Sequence, residues 1–417
     1  MKKSPLIHIF LNVLFFGMAA ISVASCGSPD VDAPRAEPQS EINIRRFKAM
    51  FDSIPDRRQT EVRKAVVAYA EELDALLDSS ETYREMAEAR ISEIKSRLAV
   101  SLEDEKAKTR LLYDEYMTVS FDSLFKYAHR FNELARQGDA DVRAEAAVRL
   151  SDMYVQGGYF READRAIYGF DSSECSDSMK IAVGMARFRL EFENGFFFAW
   201  RLYQPNLAGE NMTRIYDELF PMLDDDSYDL YKMKMLISFS NLEYRKAENY
   251  ANIVLAKLSP DDREHTKVWG NIGFLKMGYG DFDGAMEYMV DESKRAIREG
   301  SCNYSSIRKI AELMYVVGDL DRASRYIGIA LDNAAEFNSK YRIIESSKGY
   351  PMINKQLRGN IEHDYHTIKN FTVFVVAVLF LLAGSIIYIL SQRRKVNAQA
   401  AEIKERNGSC AKVRGRA

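Results

Sequence analysis

The residues best suited by type and spacing to hold a metal are His363 and His366, in the run His-Asp-Tyr-His. Three positions apart, they fall close together on one helical face, but a zinc site takes at least three protein ligands and no third joins them. A solvated helix accounts for the pair better. Asp224, Asp225 and Asp226 lack the spaced ligands and closing Glu of an EF-hand, and read as a loop or cap. His129 and His265 stand alone, and His8 lies in an apolar N-terminal stretch. No P-loop, dinucleotide glycine fingerprint, HExxH or GxSxG element occurs in the large central body. The chain offers no catalytic, cofactor-binding or metal-ligating set, and an enzyme is not expected.

Cysteine chemistry centres on Cys26, with a bridge between Cys175 and Cys302 left open. Val23-Ala24-Ser25-Cys26 resembles a bacterial lipobox, in which Cys26 is lipidated and becomes the mature N-terminus. Ordinary signal cleavage after Ala24 competes, because Ser22 and Ala24 are the small residues that reaction needs. Retention as an uncleaved first span is a third reading. Cys175, Cys302 and Cys410 are too few and too scattered for a disulfide framework or a CxxC metal site. The formal net charge of −3 gives no electrostatic reason for the body to bind nucleic acid.

The elements that surround these residues set the topology. Phe371 to Leu390 contains no charged side chain and is followed by Arg393, Arg394 and Lys395. Twenty residues at about 1.5 Å rise each reach about 30 Å, the thickness of a bilayer's hydrocarbon core, so a transmembrane helix is expected at 371–390. Lys2 and Lys3 before the apolar run from Leu6 to Val23 form a secretory signal over 1–26. From Gln392 the tail carries eight Lys or Arg against two Glu, which puts 391–417 in the cytoplasm. The expected location is the inner membrane, with a single C-terminal span and the body in the periplasm.

Proline placement predicts an all-α body. None occurs between Asp56 and Gln204, and proline costs about 3 kcal/mol inside a helix. Pro29, Pro34 and Pro38 among small and acidic residues suggest a flexible linker over 27–55. Two helical stretches follow over 56–102, separated near Asp78, Ser79 and Ser80. Ala87, Ile91, Ile94 and Leu98 form a narrow apolar stripe that reads as a coiled-coil seam, either folded back as a hairpin on the first repeat or paired with a second subunit in a homodimer.

The region 103–350 repeats itself, with 351–370 as a juxtamembrane segment. Ala247, Ala285 and Ala323 stand 38 residues apart, each preceded three residues earlier by Tyr244, Phe282 or Leu320. Gly280 and Gly318 lie five residues before two of these alanines, and Met235, Gly273 and Ala311 twelve before. Small residues on both helices permit close packing, glycine permits the turn, and the aromatic or leucine fills the joint. Ser151, Tyr154, Gly158, Phe160 and Ala163 fit the same register, Phe196 and Ala199 fit it weakly, and Phe121 and Leu124 mark a diverged copy. The best copies continue to Ala330 or begin at Trp269. A tetratricopeptide-like α-solenoid of four to six helical pairs is expected, with a concave face that binds a protein or peptide.

Several stretches together resemble a family of bacterial membrane-anchored tetratricopeptide regulators of unassigned function. They include Leu73-Asp-Ala-Leu-Leu77, Ser120-Phe-Asp-Ser-Leu124, Val317-Gly-Asp-Leu-Asp-Arg-Ala-Ser-Arg-Tyr326, Ala330-Leu-Asp-Asn-Ala334, Tyr341-Arg-Ile-Ile344 and Ala401-Glu-Ile-Lys-Glu-Arg406. The resemblance implies exported repeats that sense or dock, one transmembrane helix, and a cytoplasmic coiled coil, often with a helix-turn-helix. Here the 27 residues after Leu390 are too few for such a domain, and the heptad at Val396, Gln399 and Ile403 is lost after Asn407. The chain therefore reads as truncated after the span. It is expected to be the sensing part of a signalling or transcription-regulating protein, or alternatively an envelope scaffold with no signalling role.

Overall fold

A chain that excludes proline over so long a stretch can run helix after helix, and this one does. The computed structural model describes residues 39–198, 207–302 and 305–414, which form sixteen α-helices and no strand. The signal segment, Cys26 and residues 27–38 lie outside the described residues.

The second half of the expected linker is a helix, α1 (Gln39–Ser53). The proline-rich composition ends at Pro38, after which Ile44, Phe47 and Phe51 supply an apolar stripe that is buried. Phe51 meets Phe282 edge-on at 5.8 Å between ring centroids, worth more than its area alone. Two further helices, α2 (Asp56–Asp78) and α3 (Ser80–Val100), are parted only at Ser79. Val62, Val66, Ala70, Leu73 and Leu77 bury one face of α2. The stripe of Ala87, Ile91, Ile94 and Leu98 on α3 is buried within the chain as well.

Six helix pairs follow. They are α4 (Glu105–Tyr116) with α5 (Phe121–Ala135), α6 (Ala140–Gly157) with α7 (Phe160–Tyr168), and α8 (Asp177–Phe198) with α9 (Leu207–Leu219). Next come α10 (Tyr228–Ser240) with α11 (Tyr244–Ala256), α12 (Arg263–Tyr279) with α13 (Phe282–Arg298), and α14 (Ser306–Val317) with α15 (Leu320–Glu336). The stack is a tetratricopeptide solenoid. The N-terminal helices rest on its last pairs: α2 packs on α13 and α14, and Ala87 of α3 abuts Gly300 beyond α13. Farther along α3, Ile94 and Leu98 pack with Leu112 of α4, so α3 bridges the last pairs and the first.

The joints follow from local chemistry. Gly318 ends α14 in the left-handed conformation, and Asp319 then caps α15 by accepting from the Arg322 N–H at 3.1 Å. Gly280 and Asp281 repeat the device between α12 and α13, with the Gly284 N–H at 3.2 Å. Ala247, Ala285 and Ala323 are fully buried where paired helices meet. A side chain at Gly273 would lie 2.5 Å from Met289 and 3.0 Å from the Ala285 carbonyl, which explains the glycine there.

The last helix, α16 (Lys340–Arg414), starts inside the solenoid, where Tyr341 and Ile353 are buried. It continues through the apolar stretch 371–390. Among the described residues this is the one helix long and apolar enough to cross a membrane. Arg393, Arg394 and Lys395 follow on the same helix, exposed.

Candidate interaction site on the inner face

The solenoid returns on itself. Phe337, just after α15, is fully buried and meets Phe121 at the start of α5 edge-on, with centroids 6.0 Å apart. Tyr341, in the first turn of α16, packs against Phe160 at the same separation. The Cys302 N–H donates to the Thr118 carbonyl at 2.9 Å, and the Ser339 hydroxyl donates to the Gln156 carbonyl at 2.7 Å. Cys302, Phe337, Tyr113 and Phe121 share one apolar cluster, so the first pairs and the last are sealed by a common core.

Within this closed turn, charges recur on the first helix of successive pairs. Arg189 and Glu193 lie on α8, Lys232 on α10, Glu264 and Lys267 on α12, and Arg308, Lys309 and Glu312 on α14. The first turns of α16 add Arg342 and Glu345. Glu193 lies within electrostatic reach of Arg189, Arg342, Glu345 and Lys309, so helices α8, α14 and α16 face a common interior.

Some of these charges satisfy one another. Glu264 takes Lys232 at 2.9 Å and Lys267 at 2.5 Å, and the Tyr228 hydroxyl at 3.3 Å. Burial works against its charge, yet the two lysines win and hold the carboxyl well below the usual carboxylate range. Arg308 pairs with Glu312 on its own helix and lies 3.8 Å from Glu345 on α16. Arg189 reaches Asp152 of α6 at 3.1 Å.

Others are unspent. Glu193, Lys309 and Arg342 form no ion pair among the described residues. Burial and neighbouring Arg308 push the Lys309 ammonium down to about 8, and burial pushes the Glu193 and Glu292 carboxyls up. Lys309 lies over the Phe274 ring at 4.8 Å. Glu292 and Ser306 are buried side by side, and the serine's hydrogen bonding opposes the rise at Glu292 without cancelling it. Such groups are costly in isolation and gain from a polar ligand that pairs with them. The face therefore offers charge of both signs, and among the described residues no group of three metal ligands.

The residues singled out by sequence hold the scaffold. Ser151 and Ala163 are buried, and the Tyr154 hydroxyl meets His129 Nε2 at 3.0 Å. Gly158 ends α6 in the left-handed region against Tyr341. Ala311 and Ala330 are buried, and Trp269 packs edge-on to His265 at 4.7 Å. Ala199, and the side chains of Phe196, His363 and Cys410, lie outside the described residues. Cys175 and Cys302 are buried free thiols in separate clusters. The inner charges were missed, although Arg308 and Glu312, or Glu264 and Lys267, at helical spacing on first helices were a visible signal.

The SusR N-terminal TPR domain family matches residues 77–348, from the end of α2 into the first turns of α16. No curated protein matches the sequence. TPR domains are protein-interaction modules, and nothing in this match points to an enzyme. With six stacked helix pairs and a match over more than half its length, the chain belongs to the SusR N-terminal TPR domain family.

Proposed function

We propose that this chain is the sensing part of a transmembrane regulator, in which a protein or peptide docks on the charged inner face and α16 carries the response across the membrane. One observation carries the reading: α16 begins at the solenoid's closure, where Tyr341 seals the turn and Arg342 and Glu345 join the inner charges, and continues as one helix through 371–390. A ligand that paired Lys309, Arg342 or Glu193 would favour one position of that first turn over another, and differential affinity is all a ligand needs to shift an equilibrium.

The secretory signal and the basic cluster after the span support an inner-membrane protein with periplasmic repeats. Lipidation of Cys26 would add a second anchor, and two signals hold far better than one acyl chain. The α3 stripe is consumed inside the chain, so a homodimer would have to form elsewhere, and the heptad positions after the span are the candidates.

The test is a deletion of residues 396–417 that spares Arg393, Arg394 and Lys395. The sensor reading expects partner capture to persist while the transcriptional response is lost. Unchanged transcription together with unchanged capture would sink it and favour a scaffold.

A further inference from the structure

A cleft of about 800 Å³ opens between the end of α3, α4 and the middle of α5, within the range of volumes that ligand clefts occupy. Leu98, Ala99, Leu112 and Tyr127 contribute an apolar floor, and Phe125 stands exposed at its edge. Val100, the last residue of α3, and Leu102 just beyond it are among the most exposed large apolar residues of the solenoid region. Exposed apolar groups gathered in one place mark an interaction surface more often than chance.

The rim is cationic. Lys95, Lys108, Lys126 and Arg130 face Glu105 and Glu133. Both carboxylates are already matched, Glu105 to Lys108 at 3.5 Å and Glu133 to Arg130 at 3.2 Å. Lys95 and Lys126 have no carboxylate among the described residues. Each lies over a ring instead, Lys95 at 5.0 Å from Tyr116 and Lys126 at 5.6 Å from Tyr127, and those rings stack on each other.

We infer that this cleft docks an acidic segment of a partner protein, which lays apolar side chains on the floor and sets carboxylates against Lys95 and Lys126. Complementary charge decides the choice of partner: a basic segment would meet two ammonium groups with nothing to neutralise either. The surface is separate from the inner face and does not depend on what the inner face binds.

Fluorescence anisotropy on the intact chain in detergent tests this, with a labelled peptide of alternating leucine and glutamate and its leucine–lysine counterpart as probes. The glutamate peptide is expected to bind, more weakly as salt rises, and the lysine peptide not to bind. Lys95→Glu with Lys126→Glu should weaken binding about tenfold or more with thermal melting unchanged, because both side chains are exposed. Phe125→Ala should weaken it severalfold, while Lys309→Glu on the inner face should leave it alone. Equal binding of the two peptides, or unchanged affinity in both the lysine and the Phe125 variants, would overturn the inference. So would binding of phosphatidylglycerol-rich vesicles, lost on reversing Lys95 and Lys126, by a chain that ignores the glutamate peptide.

Discussion

Tyr341 lies against Gly158 so closely that a methyl group on the glycine would sit 2.8 Å from both the Tyr341 backbone nitrogen and its Cβ. Gly158 ends the first helix of the second pair, and Tyr341 opens the helix that leads to the apolar span. The contact ties the beginning of the solenoid to its exit, and only glycine permits it.

Gly158→Ala should therefore destabilise the protein through two effects, strain at φ +81 and a clash with backbone that cannot rotate away. Left-handed strain alone costs about 1–2 kcal/mol. A chemical-denaturation series should show a loss of at least that size, with hydrogen exchange rising first near Gln156 and Ser339. An unchanged midpoint would mean the contact does not form.

Leu242 holds the turn between α10 and α11 at φ 60, the position that glycine fills at 280 and 318, and its side chain is exposed. Leu242→Gly should relieve about 1–2 kcal/mol of strain and lose about 0.5–1 kcal/mol to added freedom of the unfolded chain, a net gain of up to about 1.5 kcal/mol. Thermal melting should move up slightly. A fall would show that the leucine packs in a way its exposure hides.

Glu264 is shared by Lys232 and Lys267, and its carboxyl is held below the usual value of 4.5 in the folded state. A depressed carboxyl contributes stability above the unfolded value, and loses it as pH falls through the folded one. Glu264→Gln should cost about 1–3 kcal/mol near neutral pH, moderated by the water that reaches the site. The gap between the two proteins should narrow as pH drops below about 4.5. A gap that stays constant with pH would assign the cost to packing.

Lys309 behaves in the opposite sense. Burial and Arg308 push it down to about 8, so the folded state disfavours its charge. The cost is present below pH 8 and fades as pH rises from 8 toward the ordinary value of 10.5. Lys309→Met should be more stable than the parent at neutral pH, and the two should converge toward pH 10.5. Loss of stability at neutral pH would contradict the assignment.

Much of the repeat core was legible because its grammar is local. A left-handed glycine, a capping aspartate and two buried alanines are fixed by neighbours a few residues away, as at Gly318, Asp319, Ala311 and Ala323. The closure was not legible, because Phe121 and Phe337 meet through the summed curvature of six pairs. Nor was α1, whose short stripe of Ile44, Phe47 and Phe51 follows a proline-rich run that set the expectation. The inner charges were hidden for another reason: on a single helix, Arg308 and Glu312 look like any solvated pair, and only the returning solenoid places Glu345 beside them.

The closed turn is the claim on which the inner face and its coupling to α16 both rest. Spin labels at Asp122 and Lys340, both exposed and on opposite sides of the seam, measure it directly by dipolar spectroscopy on the intact chain in detergent. A closed solenoid predicts one short, narrow distance distribution that Gly158→Ala broadens. A long or broad distribution in the parent protein would show an open solenoid and contradict the account.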